Sequence, residues 1–123
     1  LLNIFKENFE KKKLIIQSKV ENLILSGFEI CIFGAGHHAS SFVSINELNE
    51  VISFVVDDNI NKHNHYLPGS SIPIFPTTFL QKTKKPIFIF LTTNPENNLK
   101  IINFIKGLNN NIKTFSIFDF YKS

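Results

Sequence analysis

Two short segments of this 123-residue chain carry residue types and spacings that could do chemistry. The first is Gly34-Ala35-Gly36-His37-His38-Ala39, a pair of glycines opening a helix. The second is Asp57-Asp58-Asn59, with Asp58 falling 19 residues after Ala39. A glycine turn at a helix start lets backbone amides come close to a bound group. The free N–H donors and partial positive charge there suit a phosphate or carboxylate. Carboxylates at the end of the following strand would accept from sugar hydroxyls. Thr92-Thr93-Asn94 closes a later apolar run and belongs to the same rim, with Asp119 as a further member. Tyr66, just before the Pro68-Gly69 turn, is a candidate contact residue. The candidate substrate-binding set is therefore Gly34, Gly36, His37, His38, Asp57, Asp58, Asn59, Tyr66, Thr93 and Asn94.

Each of these also has a structural reading. Gly34 and Gly36 serve close strand-to-helix packing equally well. Asp57 and Asp58 can cap the following loop through Asx turns with Asn59 and Asn61. Pro68-Gly69 is a turn under any reading, with Gly69 supplying a positive φ, and Tyr66 can pin that loop to the core. His37, His38, His63 and His65 are zinc-ligand types, but adjacent histidines at a helix start diverge, His63 and His65 fall in a loop, and no cysteine joins them. No metal is assigned. Nucleophilic catalysis lacks a residue: Cys31 is mid-strand, and Ser40 and Ser41 lie within a helix.

The elements that must position these residues alternate. Residues near Asn3 to Ser26 form a helix with Phe5, Phe9, Ile16, Val20 and Leu23 on one stripe and Gly27 as its stop. Strands are expected at Glu29–Phe33, Val51–Asp57, Ile72–Phe75, Pro86–Thr93 and Lys113–Phe118. A helix from His37 to about Asn49 turns Phe42, Ile45 and Leu48 to the sheet. Asp58 to Ser71 is a long polar loop, Thr77–Lys82 holds one or two helical turns, and Pro95 to about Leu108 is a helix capped by Asn94. Apolar strands separated by helices make a parallel sheet with right-handed crossovers. The fold class is α/β, a Rossmann-like three-layer domain with a mostly parallel sheet of about five short strands and a long leading helix. Chemistry in such a fold gathers at the carboxyl ends of the strands. One domain spans residues 1–123, with a leading helix over 1–27 and an α/β core over 28–123.

The net charge of +3 comes from lysine alone. No arginine is present to read phosphates or base edges bidentately, and no nucleic-acid partner is expected. No apolar run approaches the roughly 20 residues of a membrane span, and the residues after Leu1–Phe5 are too charged for a secretory signal. The lone Cys31 cannot form an internal disulfide, which makes a reduced, cytoplasmic setting the default. The chain opens Leu1-Leu2 and contains no methionine, which reads as a piece of a longer polypeptide.

The stretch Val55-Val56-Asp57-Asp58-Asn59, Lys62, Tyr66, Pro68-Gly69 and Ile72-Pro73-Ile74 narrows the reading. Together with the glycine turn it resembles the C-terminal domain of the C-methyltransferase family, S-adenosylmethionine-dependent enzymes that include nucleotide-deoxysugar C-methyltransferases. The resemblance runs from the helix before Glu29 to near Ile117. It departs from many sugar-modifying members at Ser40-Ser41, where those carry Lys-Gly. It implies an accessory domain that packs on an upstream methyltransferase domain and helps hold the methyl acceptor, a nucleotide-sugar in the deoxysugar-modifying members, with S-adenosylmethionine and the acid-base residues upstream and no catalytic residue in these 123. Two other functions fit parts of the pattern. The glycine turn with Asp57/Asp58 suits a nucleotide- or NAD-binding module, although only one phosphate turn is present. The Gly-Ala-Gly-His-His start also looks like the nucleotide-sugar-binding domain of acyltransferases, whose hexapeptide repeats are absent here.

Overall fold

Apolar runs and their breakers set the elements. The computed structural model describes residues 2–121, with side chains from residue 8 onward. A long helix, α1 (Leu2–Leu25), leads into β1 (Glu29–Phe33), α2 (His37–Ile45), β2 (Phe54–Val56), β3 (Ile74–Phe75), β4 (Ile87–Leu91), α3 (Asn98–Leu108), β5 (Ile112–Ser116) and α4 (Ile117–Tyr121). Three 3-10 turns lie between them, at Ile60–Lys62, Thr77–Lys82 and Pro95–Asn97.

The strands form one all-parallel sheet in the order β3-β2-β1-β4-β5. β1 and β4 are neighbours although two strands separate them in sequence. The chain therefore switches direction across the sheet there, and the glycine turn lies at the carboxyl end of this switch point. Alternation along the buried strands divides the core in two. Ile30, Ile32, Val55, Phe88 and Phe90 face α1, α2 and α4, packing with Ile16, Val20, Phe42 and Ile117. Cys31, Phe33, Val56, Ile89 and Leu91 face the other way, against Ile105 of α3 and Leu80 of the Thr77–Lys82 turn. The sheet thus has cover on both faces. Buried Asn46 ties one of these layers together: its side-chain Nδ2 donates to Phe42 O and to the Tyr121 hydroxyl, and its backbone carbonyl accepts from Gln17 Nε2 at 3.0 Å.

Several element expectations need correction. α1 packs on the sheet as expected, but through Ile16, Val20 and partly buried Leu23. Phe9 is 52% exposed, and the side chain of Phe5 lies outside the described residues. α2 stops at Ile45 because Glu47 takes a left-handed φ of 53° and turns the chain. Leu48 still buries, while Ile45 is left 51% exposed. β2 is only three residues long, since the Val51 and Ile52 amides close a further turn on the Leu48 carbonyl and do not join the sheet. β3 shrinks to Ile74–Phe75, because Ile72 serves a local arm closed by an antiparallel bridge between Tyr66 and Pro73. β5 ends at Ser116, and Ile117–Tyr121 turns into α4, so Asp119 sits on a helix and not at a strand end.

Candidate functional site

The glycine turn is fixed by its neighbours. Gly34 has φ +101°, and a Cβ there would stand 2.9 Å from both Thr92 Oγ1 and Thr93 Cγ2. Thr92 Oγ1 can donate to either Phe33 O or Gly34 O, at 2.9 and 3.1 Å, which binds the ends of β1 and β4 together. Gly34 is thus needed for both backbone conformation and close approach. Gly36 differs: it has φ −100° and nothing within 4 Å of an added Cβ. It caps α2 with no side-chain hydrogen bond.

Asp57, at the end of β2, turns its carboxylate back onto this loop. Its Oδ2 accepts from Ala35 N at 2.7 Å, and its Oδ1 accepts from Asn59 N at 2.7 Å, an Asx turn. Lys62 donates to Ala35 O at 3.1 Å and lies 4.0 Å from Asp57 Oδ2. Both polar groups of residue 35 are therefore held by the Asp57–Lys62 segment. His63 Nε2 makes a 2.6 Å hydrogen bond with the Asp57 carbonyl, which its protonated tautomer donates. Asn59 caps the Ile60–Lys62 turn by accepting from Asn61 N at 3.0 Å. Asp58 is exposed, and one of its oxygens accepts from the buried Thr77 hydroxyl.

Across the switch point, Asn94 accepts from Glu96 N at 3.1 Å and caps the Pro95–Asn97 turn that leads into α3. Thr93 Oγ1 is buried with no hydrogen-bond partner among the described residues, and Ser116 Oγ at the end of β5 shares that condition. The fold brings Gly34, Asp57, Thr92 and Thr93 together around one turn. Tyr66 is not part of that group: it is 63% exposed on the arm that pairs with Pro73.

Beside the turn lies a groove of about 650 Å³ between α2 and the Pro68-Gly69-Ser70 turn. His37, Ser40, Ser41 and Ser44 line one wall, and Glu47, Asn49 and Glu50 close one end. The opposite wall is rigid. Leu67 is fully buried, Gly69 holds φ +77° as expected, Ser70 Oγ donates to Leu67 O at 2.7 Å, and Asn49 Oδ1 accepts from Ser71 N at 3.2 Å. His38 turns away from this groove, its ring edge-on to Phe118 at 5.0 Å between centroids. The serine wall went unremarked as a binding surface in the sequence, although Ser40 and Ser44 at i and i+4 share a helix face and could have signalled it. No lysine lines the groove, while two glutamates do. Its chemistry suits neutral hydroxyl-bearing groups better than phosphates.

Among the described residues no group of three or more His, Cys, Asp or Glu converges as a metal site, and no helix is long and apolar enough to cross a membrane. Cys31 is fully buried, and that burial pushes its thiol well above the ordinary range. A family model described as the C-methyltransferase C-terminal domain matches residues 1–103. No curated protein sequence matches the chain.

Proposed function

The chain belongs to the C-methyltransferase C-terminal domain family, and from that premise we propose that it is an accessory domain which helps bind and position the methyl acceptor. That family description implies a methyltransferase domain upstream. S-adenosylmethionine, which supplies the methyl group, is assigned to that domain. The chemistry of this chain's donor set supports placing the cofactor elsewhere. Asp57 has both oxygens engaged by backbone amides and Asp58 has one on Thr77, so the carboxylates that would hold a cofactor ribose already have partners.

The observation that carries the acceptor role is the groove of about 650 Å³ between the serine face of α2 and the Pro68–Ser70 turn. It starts at His37, the first residue of α2 at the carboxyl edge of the sheet, and runs from there along α2 to Glu50. Its hydroxyls and Asn49 offer hydrogen bonds to a polyhydroxylated acceptor, such as the sugar of a nucleotide-sugar. The contribution is positional: a fixed acceptor carbon makes methyl transfer effectively unimolecular, and no bond is made or broken by these residues.

The test is steady-state kinetics of the full-length methyltransferase carrying Ser41→Leu or Ser44→Leu, which narrow the groove without touching the sheet. The expected result is a KM for the acceptor raised about tenfold, roughly 1.4 kcal/mol, with the KM for S-adenosylmethionine unchanged. An unchanged acceptor KM rejects the groove. Saturable binding of S-adenosylmethionine to the 123-residue chain in calorimetry rejects the division of labour.

A further inference from the structure

The amino-terminal edge of the sheet carries a second groove, of about 510 Å³, whose chemistry is the reverse of the first. It collects residues from five segments. Glu29 opens β1, Phe54 opens β2, Phe75 ends β3 and Phe79 sits in the Thr77–Lys82 turn. That turn also contributes Lys82, and the link into β4 contributes Lys84 and Lys85. The three phenylalanines form one cluster. Phe75 and Phe79 stack at 4.3 Å between centroids with planes 27° apart, and Phe54 meets Phe79 edge-on at 5.1 Å. Phe75 and Phe79 are half-buried and Phe54 is in the core, so two ring surfaces remain at the groove.

The lysine-bearing link is held at its base. Thr83 Oγ1 donates to Leu80 O at 3.0 Å, Asn109 Nδ2 reaches both Leu80 O and Thr83 Oγ1, and Glu29 N donates to Pro86 O at 2.9 Å. All three lysines are exposed. The ion pairs among the described residues, Lys13–Glu47 and Lys62–Asp57, involve none of them. The net charge of +3 equals the number of lysines gathered here. Aromatic rings and ammonium groups outside the ion pairs, lining one groove, match a ligand with a flat π face at one end and several negative charges at the other.

We propose that this groove binds a nucleoside di- or triphosphate, its base against the Phe75–Phe79 rings and its phosphates among Lys82, Lys84 and Lys85. The single lining carboxylate, Glu29, then accepts from a ribose hydroxyl or an exocyclic amine. Five residues of β1 separate this edge from the glycine turn, about 17 Å, and the two grooves share no lining residue, so the site stands whether or not the acceptor groove holds an acceptor. Lysine, which binds phosphate as a point charge, serves here in a chain without arginine.

Titration calorimetry of the protein with ADP, UDP, adenosine and inorganic tripolyphosphate tests this. The nucleotides are expected to bind with Kd of about 0.1 mM, with adenosine and tripolyphosphate each at least tenfold weaker. Lys82→Gln/Lys84→Gln/Lys85→Gln, three surface changes with an unchanged melting curve, should weaken nucleotide binding at least tenfold. Phe79→Leu should weaken the nucleotides several-fold and leave tripolyphosphate unaffected. Tripolyphosphate equal to the nucleotides, indifference to the triple substitution, or the lack of saturable heat with ADP and UDP each overturns the proposal.

Discussion

The two edges of the sheet have exchanged the chemistry that their positions suggest. At the carboxyl edge, the glycine turn has the form that receives an anion, yet Ala35 gives its N–H to the carboxylate of Asp57 and its C=O to Lys62. The groove beside it is lined by serines and two glutamates, without a lysine. At the amino edge no such motif exists, and there three lysines outside the ion pairs share a groove with a cluster of phenylalanines. A glycine-turn motif fixes backbone shape. Whether its donors remain available depends on which side chains fold back over it, here from a segment 22 residues later.

The sharpest way to break this comparison is at the glycines, because only one of the two is sterically required. Gly34→Ala must place a Cβ 2.9 Å from Thr92 Oγ1 and Thr93 Cγ2 at a φ of +101°. The expected loss is about 3 kcal/mol, a fall in Tm of roughly 10 °C or more. Gly36→Ala meets nothing within 4 Å and has an ordinary φ, so its Tm should stay within about 2 °C of the parent. If calorimetric melting shows equal losses for the two, the close β1–β4 approach is not what the first glycine serves.

Removing the carboxylate that closes the turn comes next. Asp57→Ala deletes acceptors for Ala35 N and Asn59 N together, an expected loss of about 2 kcal/mol by denaturant unfolding. Asp57→Asn keeps one acceptor and should lose about half of that. Equal stability of Asp57→Ala and the parent would mean the turn stands without its latch. The same variant exposes the Ala35 amide, so any gain in affinity for simple phosphate at this edge would show that Asp57 had been excluding anions.

How much of this was legible in the sequence depends on how many segments each feature needs. β1 was read to its observed ends and β4 to within two residues, because a run of apolar residues between Gly27 or Pro86 and the next polar group is one continuous signal. β2 was read too long, since Val51 and Ile52 are as apolar as a strand but their amides close a turn on the Leu48 carbonyl. Phe9 and Ile45 fit helical stripes, yet tertiary geometry left both half exposed. At the site, the glycine turn, Asp57 and Asn94 could be placed from motif and spacing. The Asn59 cap is local and follows from Asx chemistry. The grip of Asp57 and Lys62 on Ala35 was not legible, and neither was the lysine–phenylalanine groove. Each joins residues that become neighbours only once the strand order β3-β2-β1-β4-β5 exists.

A smaller effect is expected at the other wall of the acceptor groove. Gly69 has φ +77° but open space around it, so Gly69→Ala carries the backbone cost alone, about 1 kcal/mol. Its fall in Tm should be about a third of that for Gly34→Ala, and thermal melting of the two side by side isolates the steric part of the Gly34 effect. A Gly69→Ala loss as large as that of Gly34→Ala would show the Pro68–Ser70 turn to be tightly coupled to the core.

The smallest expected effect is electrostatic. Lys13 Nζ of α1 lies 2.6 Å from Glu47 Oε2 at the end of the acceptor groove, and the Glu47 side chain is 68% exposed. The hydrogen bond with Lys13 lowers the Glu47 carboxyl from its ordinary 4.5, and the same bond raises the Lys13 ammonium above 10.5. For Glu47, the folded value lies below the unfolded one. Its contribution is therefore present above about pH 4.5 and is lost as the pH falls through the lowered folded value. For Lys13 the folded value is the higher, so its contribution is present below about 10.5 and is lost as the pH rises through the raised folded value. Between those limits an exposed pair is weak and screened by salt. Lys13→Gln should lower Tm slightly at pH 7 in dilute buffer. The difference from the parent should shrink in 0.5 M salt, and shrink again once the pH falls below the folded value of Glu47. A difference that persists at high salt would show that the pair holds α1 through packing of the lysine stem, and that this end of the groove is built more firmly than its charges imply.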